Sequence, residues 1–574
     1  MSLNALLSRW RSEPEIGGNI VSWEIIPARQ ARYMPVPSEV HPGLKAALKA
    51  RGVESLYLHQ ASAWEHARQR ENIVVVTGTA SGKTLCYNLP VLDSLIKESD
   101  ARALFLFPTK ALAQDQLSNI NALLTYASNS VIQADLPPAS SYDGDTPSNA
   151  RSAIRQNARI IVSNPDMLHT GILPHHTSWA GFFRSLRFVV IDEMHIYRGV
   201  FGSHIANVIR RLKRVARHYG SNPQFILTSA TIGNPLQLAG WLVEEPFVLI
   251  DNDGSARGQK HFLIYNPPVI NKELGVRRSL LQESIQLAED LRSYQIQTIL
   301  FGRSRRSVEI MLRYLREKSV ADKPHDRSDS RVPGSYPPVV NPANAPETVR
   351  GYRSGYLPRQ RREIERGLRE GQVRSVVATT ALELGIDIGG MGASILAGYP
   401  GTIAGAWQQA GRAGRGQEAS LSILVTSASP LDQFLASHPE YFFGRSPEQA
   451  LINPDNLLIL LGHLRCAAFE LPFKDGEAFG RVEPERVAEI LEFLLGEGML
   501  HRSGDRYFWM ADRYPAEAVS LRSTSPDVFV LQVENDGDVR TIGQVDGPSA
   551  AWMVHPGAIY LHEAQIYIVD QLDL

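Results

Sequence analysis

The chain has 574 residues, too long for one hydrophobic core, so three or four domains are expected. With 43% hydrophobic and 21% charged residues and a net charge of −1, it reads as globular and carries no overall basic field, so a nucleic-acid partner would have to be held by a local groove. Two cysteines, Cys86 and Cys466, far apart in sequence, exclude a disulfide framework and a cysteine-based zinc site in these residues.

Residues 1–40 are irregular and hold Pro27, Pro35 and Pro37; an arm packed on the first domain is expected. The opening segment lacks the apolar stretch of a secretion signal and no run is long enough to span a bilayer, so a cytoplasmic protein is expected, with no membrane partner. A Leu-Tyr-Leu-His-Gln run at 56–60 leads into a helix. Gln60 carries a donor and an acceptor, which suits reading an adenine edge and equally suits capping that helix.

The β-branched run 73–76 predicts a buried strand and the apolar spacing of 85–96 a helix. Between them stands TGTASGKT, residues 77–84. Small residues at Thr79, Ala80, Ser81 and Gly82 let backbone N–H groups close on phosphate oxygens, Lys83 can reach the β- and γ-phosphates, and the Thr84 hydroxyl can sit on Mg²⁺. Thr77 stands where GxxxxGK[ST] has its first Gly. Further strands are expected at 103–107, 160–162, 188–191 and 225–227, with helices between them. That alternation predicts a parallel sheet with ligand loops at its carboxyl ends. There stand Pro108-Thr109-Lys110, Ser163-Asn164-Pro165-Asp166, Asp192-Glu193-Met194-His195 and Thr228-Ser229-Ala230-Thr231. An acidic pair after an apolar strand, downstream of a phosphate loop, divides into a metal-holding Asp192 and a water-activating Glu193. Arg210, Arg211, Lys213, Arg214 and Arg217 predict a solvated basic helix face rather than a DNA-facing one.

A second α/β block begins near 262, with strands at 298–301, 375–378 and 393–396. Ser304 follows the first of these and Thr379-Thr380 the second. The Pro-rich stretch 319–349 reads as a mobile loop. WQQAGRAGRG at 407–416 places Arg412 and Arg415 three apart, on one face if the segment is helical, where two guanidiniums suit a transferring phosphoryl group. Only 391–406 precedes it, too short for a protruding hairpin beside the strand it must supply. From 427 the pattern changes. A helix at 455–469, another through Val487 and Leu494, and a hairpin around 503–505 suggest a winged helix, in which His501, Arg502 and Arg506 are nucleic-acid candidates or, equally, serve structural packing alone. Strands at 528–533, 539–545, 551–554, 558–561 and 566–569 suggest a small β-domain.

Over about 40–430 these motifs, in order, resemble those of superfamily 2 helicases: Gln60 the adenine-reading position, TGTASGKT, PTKALAQDQ, SNPDML, DEMH, SAT, FGRSRRSVE, TTALELGIDI and QQAGRAGR. IPARQARYMPVP, YDGDTP and INPDNLLILLGHLRCAAFELPF are similar to the MrfA/YprA-type, Lhr-like DNA helicases. The resemblance implies 3′-to-5′ ATP-driven translocation on DNA and a part in repair, with single-stranded DNA and duplex junctions as partners and a monomer as the working form. It implies ATP between two RecA-like domains, with Gln408, Gly385 and Asp387 facing it beside Glu193, Arg412 and Arg415. It assigns His195, Ser229 and Thr231 to coupling, and Pro108, Thr109, Lys110, Asn164, Ser304, Thr379 and Thr380 to the nucleic-acid track. Such proteins continue into a four-cysteine zinc region; with two cysteines, no zinc site is expected here.

The expected α/β architecture is an arm at 1–40, RecA-like domains at 41–260 and 261–430, a helical and winged-helix-like region at 431–512, and a small β-rich domain at 513–574. Deleting everything after Ala428 is expected to lower DNA affinity and unwinding more than basal ATPase activity. An RNA helicase, or a nucleic-acid-activated clamp that does not unwind, stays open as an alternative.

Overall fold

The computed structural model describes the chain except residues 1, 131–136, 322–347, 384, 386–387, 415–416, 513, 523–527, 536–537, 564 and 574. The expected loop at 319–349 lies mostly outside the described residues. The chain forms two compact units, Ala31–Ser255 with Pro447–Thr524, and Met1–Gln30 with Ala256–Ser446 and Ser525–Leu574. They are called here the phosphate-loop unit and the second unit.

The phosphate-loop unit is built on a seven-stranded parallel sheet. Its order is Val248–Ile250, Ile73–Val76, Gln224–Ser229, Leu186–Ile191, Arg102–Leu106, Ile160–Ser163 and Ser140–Ser141. Ile73 and Val75 enter the core on one face, Val74 and Val76 the core on the other. This is why these strands read as unbroken apolar runs: both faces are covered. Burying each such side chain contributes about 1.5–3 kcal/mol. The 77–84 loop, Pro108, Asn164, Asp192 and Ala230 all follow the carboxyl ends of strands, as the alternation predicts.

The second unit repeats the plan: Ile20–Ile26, Lys260–Tyr265, Ser420–Val425, Ala393–Ala397, Thr298–Gly302, Ser375–Ala378 and Val349–Tyr352. All neighbours are parallel except the first pair, in which Ile20–Ile26 runs antiparallel to Lys260–Tyr265. This corrects the expected N-terminal arm. Its first part belongs to the second unit, where Leu6, Leu7 and Trp10 are buried in the core and Trp10 Nε1 donates to Asp290 at 2.9 Å. Only its end, Tyr33–Pro35, pairs with Ser55–Tyr57 of the phosphate-loop unit. The physical reason is an IVSWEII run whose backbone completes an exposed sheet edge.

Residues 391–406 hold the strand Ala393–Ala397, a turn and the start of the helix Ile403–Ala410, with no hairpin. Helices Leu457–Glu470 and Pro484–Gly496 and the hairpin Leu500–Ser503/Arg506–Trp509 form the winged-helix-like region. At 551–554 a helix, Gly547–Met553, replaces the expected strand; a Pro one residue inside its start suits a helix N-terminus. Among the described residues no helix is long and apolar enough to cross a membrane.

Candidate functional site

The 77–84 loop runs from the strand Ile73–Val76 into the helix Lys83–Lys97. That helix has no side-chain N-cap and no acidic residue in its first turn, so its positive dipole end faces the loop unneutralised. Gly82 takes φ 79° and Ala80 φ 60°, both left-handed. Thr77, at the position of the expected first Gly, has a use: its hydroxyl bonds the buried Ser81 hydroxyl at 2.6 Å.

Two neighbouring residues hold the loop from behind. His59 Nδ1 accepts from Gly254 N at 3.2 Å, so its Nε2–H donates to the Ser81 carbonyl at 3.1 Å. Gln60 Nε2 donates to the Gly82 carbonyl at 3.0 Å while its Oε1 accepts from Tyr57 N at 2.9 Å. Gln60 therefore closes the capping box of its helix and braces the loop. His59 went unnoticed in the sequence, where a buried histidine next to a motif glutamine carries no distinctive signal.

Lys83 and Asp192 are anchored on one strand. Lys83 Nζ donates to the Ser229 carbonyl at 3.0 Å and the Thr77 carbonyl at 3.3 Å. Thr228, one residue earlier, donates its hydroxyl to Asp192 Oδ1, which also accepts from Glu193 N at 2.8 Å. The Tyr87 hydroxyl lies 3.3 Å from Asp192 Oδ2. Tyr87 is a site residue that the sequence did not reveal, and Thr228, placed by the sequence in the polar run at the strand's end without a role, proves to hold Asp192. Burial, then the Glu193 charge, push the Asp192 carboxyl up to about 6. Two adjacent buried carboxylates form an electrostatic deficit that a divalent cation would relieve, and with the Thr84 hydroxyl they offer oxygen donors suited to Mg²⁺.

Glu193 sits at φ 52° and is buried. Its neighbour His195 accepts at Nδ1 from Ala230 N, 3.1 Å, so that nitrogen carries no proton; burial draws His195 down to about 4. The acidic segment and the Ser-Ala-Thr segment are thereby tied through a neutral imidazole. Ser229 is buried and Thr231 exposed.

In the second unit Arg412 is buried and donates Nη2 to the Glu383 carbonyl at 2.6 Å. Gln409 donates to the Glu383 carboxylate at 3.1 Å, and Gln408 is buried, its Nε2 without a partner among the described residues. Gly385 is half-buried. Asp387 and Arg415 lie outside the described residues. The helix ends at Ala410 with Gly411 as its C-cap, so Arg412 stands in a turn. This corrects the expected helix face for Arg412, and Gly414 at φ 85° is the kind of residue that ends a helix.

The expected nucleic-acid residues divide by exposure. Thr109 accepts from Leu112 N at 3.3 Å and Asn164 from Met167 N at 2.9 Å, each at the start of a helix. Thr379 caps a short turn, accepting from Ala381 N at 3.4 Å. Lys110 pairs with Asp145 at 2.8 Å, Ser304 and Thr380 are exposed, and the Pro108 carbonyl accepts from Arg522 at 2.5 Å. In the hairpin, Arg502 is paired with Asp475 and Glu492.

The basic helix Gly199–His218 overturns its expected solvated face. Arg210 pairs with Glu244 and Asp455, Arg211 with Glu470, Lys213 with Glu245, and Arg214 with Glu477; of the five, only Arg217 is exposed. Arg210, Arg211 and Arg214 fasten the winged-helix-like region to the helix Gly199–His218. The acidic partners are scattered over 244–477, so spacing on one helix could not show them.

Comparison with known proteins follows the same segments. Residues 57–238 match the DEAD/DEAH box helicase model, 342–417 the helicase conserved C-terminal domain, and 452–524 the winged helix domain of ATP-dependent helicase HRQ1. The chain is 49% identical to the uncharacterized ATP-dependent helicase YprA of Bacillus subtilis, over 97% of this chain and 70% of YprA. It is 35% identical to ATP-dependent helicase HRQ1 of Saccharomyces cerevisiae, over 96% of this chain but 49% of that protein. Crystal structures of the DUF1998 helicase MrfA, one bound to DNA and one to DNA and AMPPNP, are each 48% identical with a TM-score of 0.90 over the whole chain, which spans 72% and 76% of theirs.

Proposed function

The chain belongs to the YprA- and MrfA-type family of superfamily 2 ATP-dependent helicases, and on that premise we propose that it is a DNA-stimulated ATPase that translocates 3′-to-5′ on single-stranded DNA and opens duplex junctions, as a monomer and in DNA repair. The observation that carries the reading is the shared strand Gln224–Ser229, which holds Lys83 through the Ser229 carbonyl and Asp192 through the Thr228 hydroxyl. Phosphate grip and metal ligand are thus fixed to one rigid element. MrfA bound to DNA supports DNA over RNA as the polymer.

In this reading the nucleotide phosphates lie on the 77–84 loop, with Thr79, Ala80, Ser81 and Gly82 donating backbone N–H groups and Lys83 exchanging its two carbonyls for phosphate oxygens. Gln60 contributes at the adenine with its remaining N–H. Mg²⁺, held by Thr84 and Asp192, would neutralise developing phosphate charge. Glu193 takes the proton of the attacking water. Arg412 and Arg415, with Gln408, Gly385 and Asp387, stabilise the transition state, a role of a kind worth about 10³–10⁵ in rate in other NTPases. His195, through Ala230, transmits the state of Glu193 to Ser229 and Thr231. Pro108, Thr109, Lys110, Asn164, Ser304, Thr379 and Thr380 track the strand.

The test measures ATP hydrolysis with single-stranded DNA, duplex DNA and RNA at one stated salt concentration, beside strand displacement on a tailed duplex. Stimulation by single-stranded DNA together with displacement is expected. Preferential stimulation by RNA would make the chain an RNA helicase, and stimulation without displacement a clamp.

A further inference from the structure

Lys260 opens the strand Lys260–Tyr265 and is buried, 7% exposed. Its Nζ donates to two carbonyls, Ala410 at 2.5 Å and Ala413 at 2.8 Å. Those carbonyls bracket Arg412. They converge because the chain leaves the helix Ile403–Ala410 through successive tight turns: Arg412 N donates to Gln409 O and Ala413 N to Ala410 O, both at 3.2 Å. The last helical carbonyl also accepts from Ser422 Oγ at 3.2 Å. Beyond it Gly414 N donates to Met391 O at 2.9 Å. A Cβ on Gly414 would stand 2.4 Å from Ser420 Oγ and 3.7 Å from Lys260 Cε. The turn is thus wound around one ammonium group, at the end of a helix whose dipole favours a cation.

We propose that Lys260 is a positioning residue for hydrolysis: by gathering the Ala410 and Ala413 carbonyls it sets the turn that aims Arg412. The proposal rests on the reading of Arg412 as a transition-state group. A neutral side chain at 260 takes the ammonium donor from the Ala413 carbonyl and leaves Ala410 with only Ala413 N and Ser422 Oγ; nothing then draws the two carbonyls together, and the turn can relax. Displacing a catalytic arginine by about an ångström is enough to cost about 10²-fold in rate. Among the described residues Arg257 is the charged side chain acting on Lys260; Ser420 lies opposite it on the neighbouring strand and Ile26 on the other side. Burial, then Arg257, draw the ammonium down to about 7. The hold therefore weakens as pH rises through neutrality, whereas a guanidinium would keep its charge.

The experiment compares the full chain with Lys260→Met, Lys260→Arg and Arg412→Ala, reading DNA-stimulated kcat and KM for ATP, melting temperature, and kcat against pH from about 6 to 9. Lys260→Met should lower kcat about tenfold or more with KM within about twofold, and Lys260→Arg should restore most of it. The unmodified chain should lose kcat as pH rises through about 7–8, with a flatter profile for Lys260→Arg. This arm decides the matter if Lys260→Met melts early. Lys260→Met with near-normal kcat, or a flat profile in the unmodified chain beside a Lys260→Met loss that only follows melting, overturns the proposal. An active Arg412→Ala removes its premise and the reading of Arg412 together. An inactive Arg412→Ala beside an active Lys260→Met sinks the positioning role alone.

Discussion

Arg211 and Glu470, 259 residues apart in sequence, form a buried ion pair in which Arg211 Nε lies 3.0 and 3.1 Å from the two carboxylate oxygens. Arg211 is fully buried and its remaining N–H groups reach the His169 ring and carbonyl. Removing one partner leaves the other as an uncompensated interior charge, which costs about 3–5 kcal/mol. Glu470→Ala should therefore cut stability by that amount in denaturant titration. The double variant Arg211→Met/Glu470→Leu should recover much of it. A Glu470→Ala protein as stable as the parent would show the pair to be solvated.

The same cluster predicts acid sensitivity. His169 donates Nε2–H to the Val519 carbonyl at 2.9 Å and accepts from Arg211 at Nδ1, 2.6 Å; His463 faces Arg211 and donates to His204 Nδ1 at 3.0 Å. Burial and Arg211 draw His169 down to about 3 and His463 well below its usual value. The unfolded chain takes up these protons near pH 6.5 and the folded chain does not, so stability is full above about 6.5 and lost as pH falls below it, at about 1.4 kcal/mol per pH unit for each imidazole. Melting temperature should drop between pH 7 and 5, with a shallower slope in His169→Gln. An unchanged slope would exclude His169 as a contributor.

At the site, the two carboxylates and the lysine separate by role. Glu193→Gln keeps shape and hydrogen bonding but cannot take a proton, so nucleotide binding should persist while kcat falls about 10²–10⁴-fold. Lys83→Ala removes the ammonium now resting on the Thr77 and Ser229 carbonyls and should weaken nucleotide binding itself. Equilibrium binding of a fluorescent ATP analogue beside turnover distinguishes them. Near-normal turnover in either variant contradicts its assignment.

Much of this was legible because buried parallel strands spell themselves out. Ile73–Val76 and Ser375–Ala378 stand where the apolar runs put them, and the polar motifs follow their ends. Illegible were features set by partners remote in sequence. Ile20–Ile26 becomes an edge strand through Lys260–Tyr265, more than 230 residues on. Arg210, Arg211 and Arg214 carry the composition of a solvated face, and only carboxylates folded in from 244 to 477 bury them. His59, Thr228 and Lys260 act through backbone carbonyls or a motif side chain, which no spacing in the sequence records.

The loop glycine is a sharper test of the cradle than its lysine. Gly82 is left-handed, and a Cβ there would stand 2.7 Å from Gln60 Nε2, the atom bracing its own carbonyl. Gly82→Ala must strain the backbone by about 1–2 kcal/mol and displace that brace. Nucleotide affinity should fall about tenfold or more. Ala80 offers the opposite sign: already left-handed at φ 60°, Ala80→Gly should relieve strain and melt no lower than the parent. Reversed signs would mean that the loop is not held in this conformation.

Cutting the chain after Ala428 probes the core rather than an accessory. The expectation that this cut lowers DNA affinity and unwinding more than basal ATPase treats everything downstream as added surface. In the phosphate-loop unit, however, the cut removes Asp455, Glu470 and Glu477, the partners of Arg210, Arg211 and Arg214. It also takes Ala450, Leu471 and Leu521 out of the core beneath the sheet. In the second unit it strips the Leu561 carbonyl and the His562 ring from the buried Arg353, and the Glu563 carbonyl from Arg316. Losing the Glu470 partner alone is worth about 3–5 kcal/mol, against a typical stability of about 5–15 kcal/mol for a whole domain. The 1–428 chain should therefore melt far below the full chain or aggregate, and lose basal ATPase along with DNA binding. Expressing both chains and comparing melting temperature, basal hydrolysis and hydrolysis with single-stranded DNA decides it. A soluble 1–428 chain with parental basal turnover would show that the clasp contributes little to the fold that carries Lys83 and Asp192.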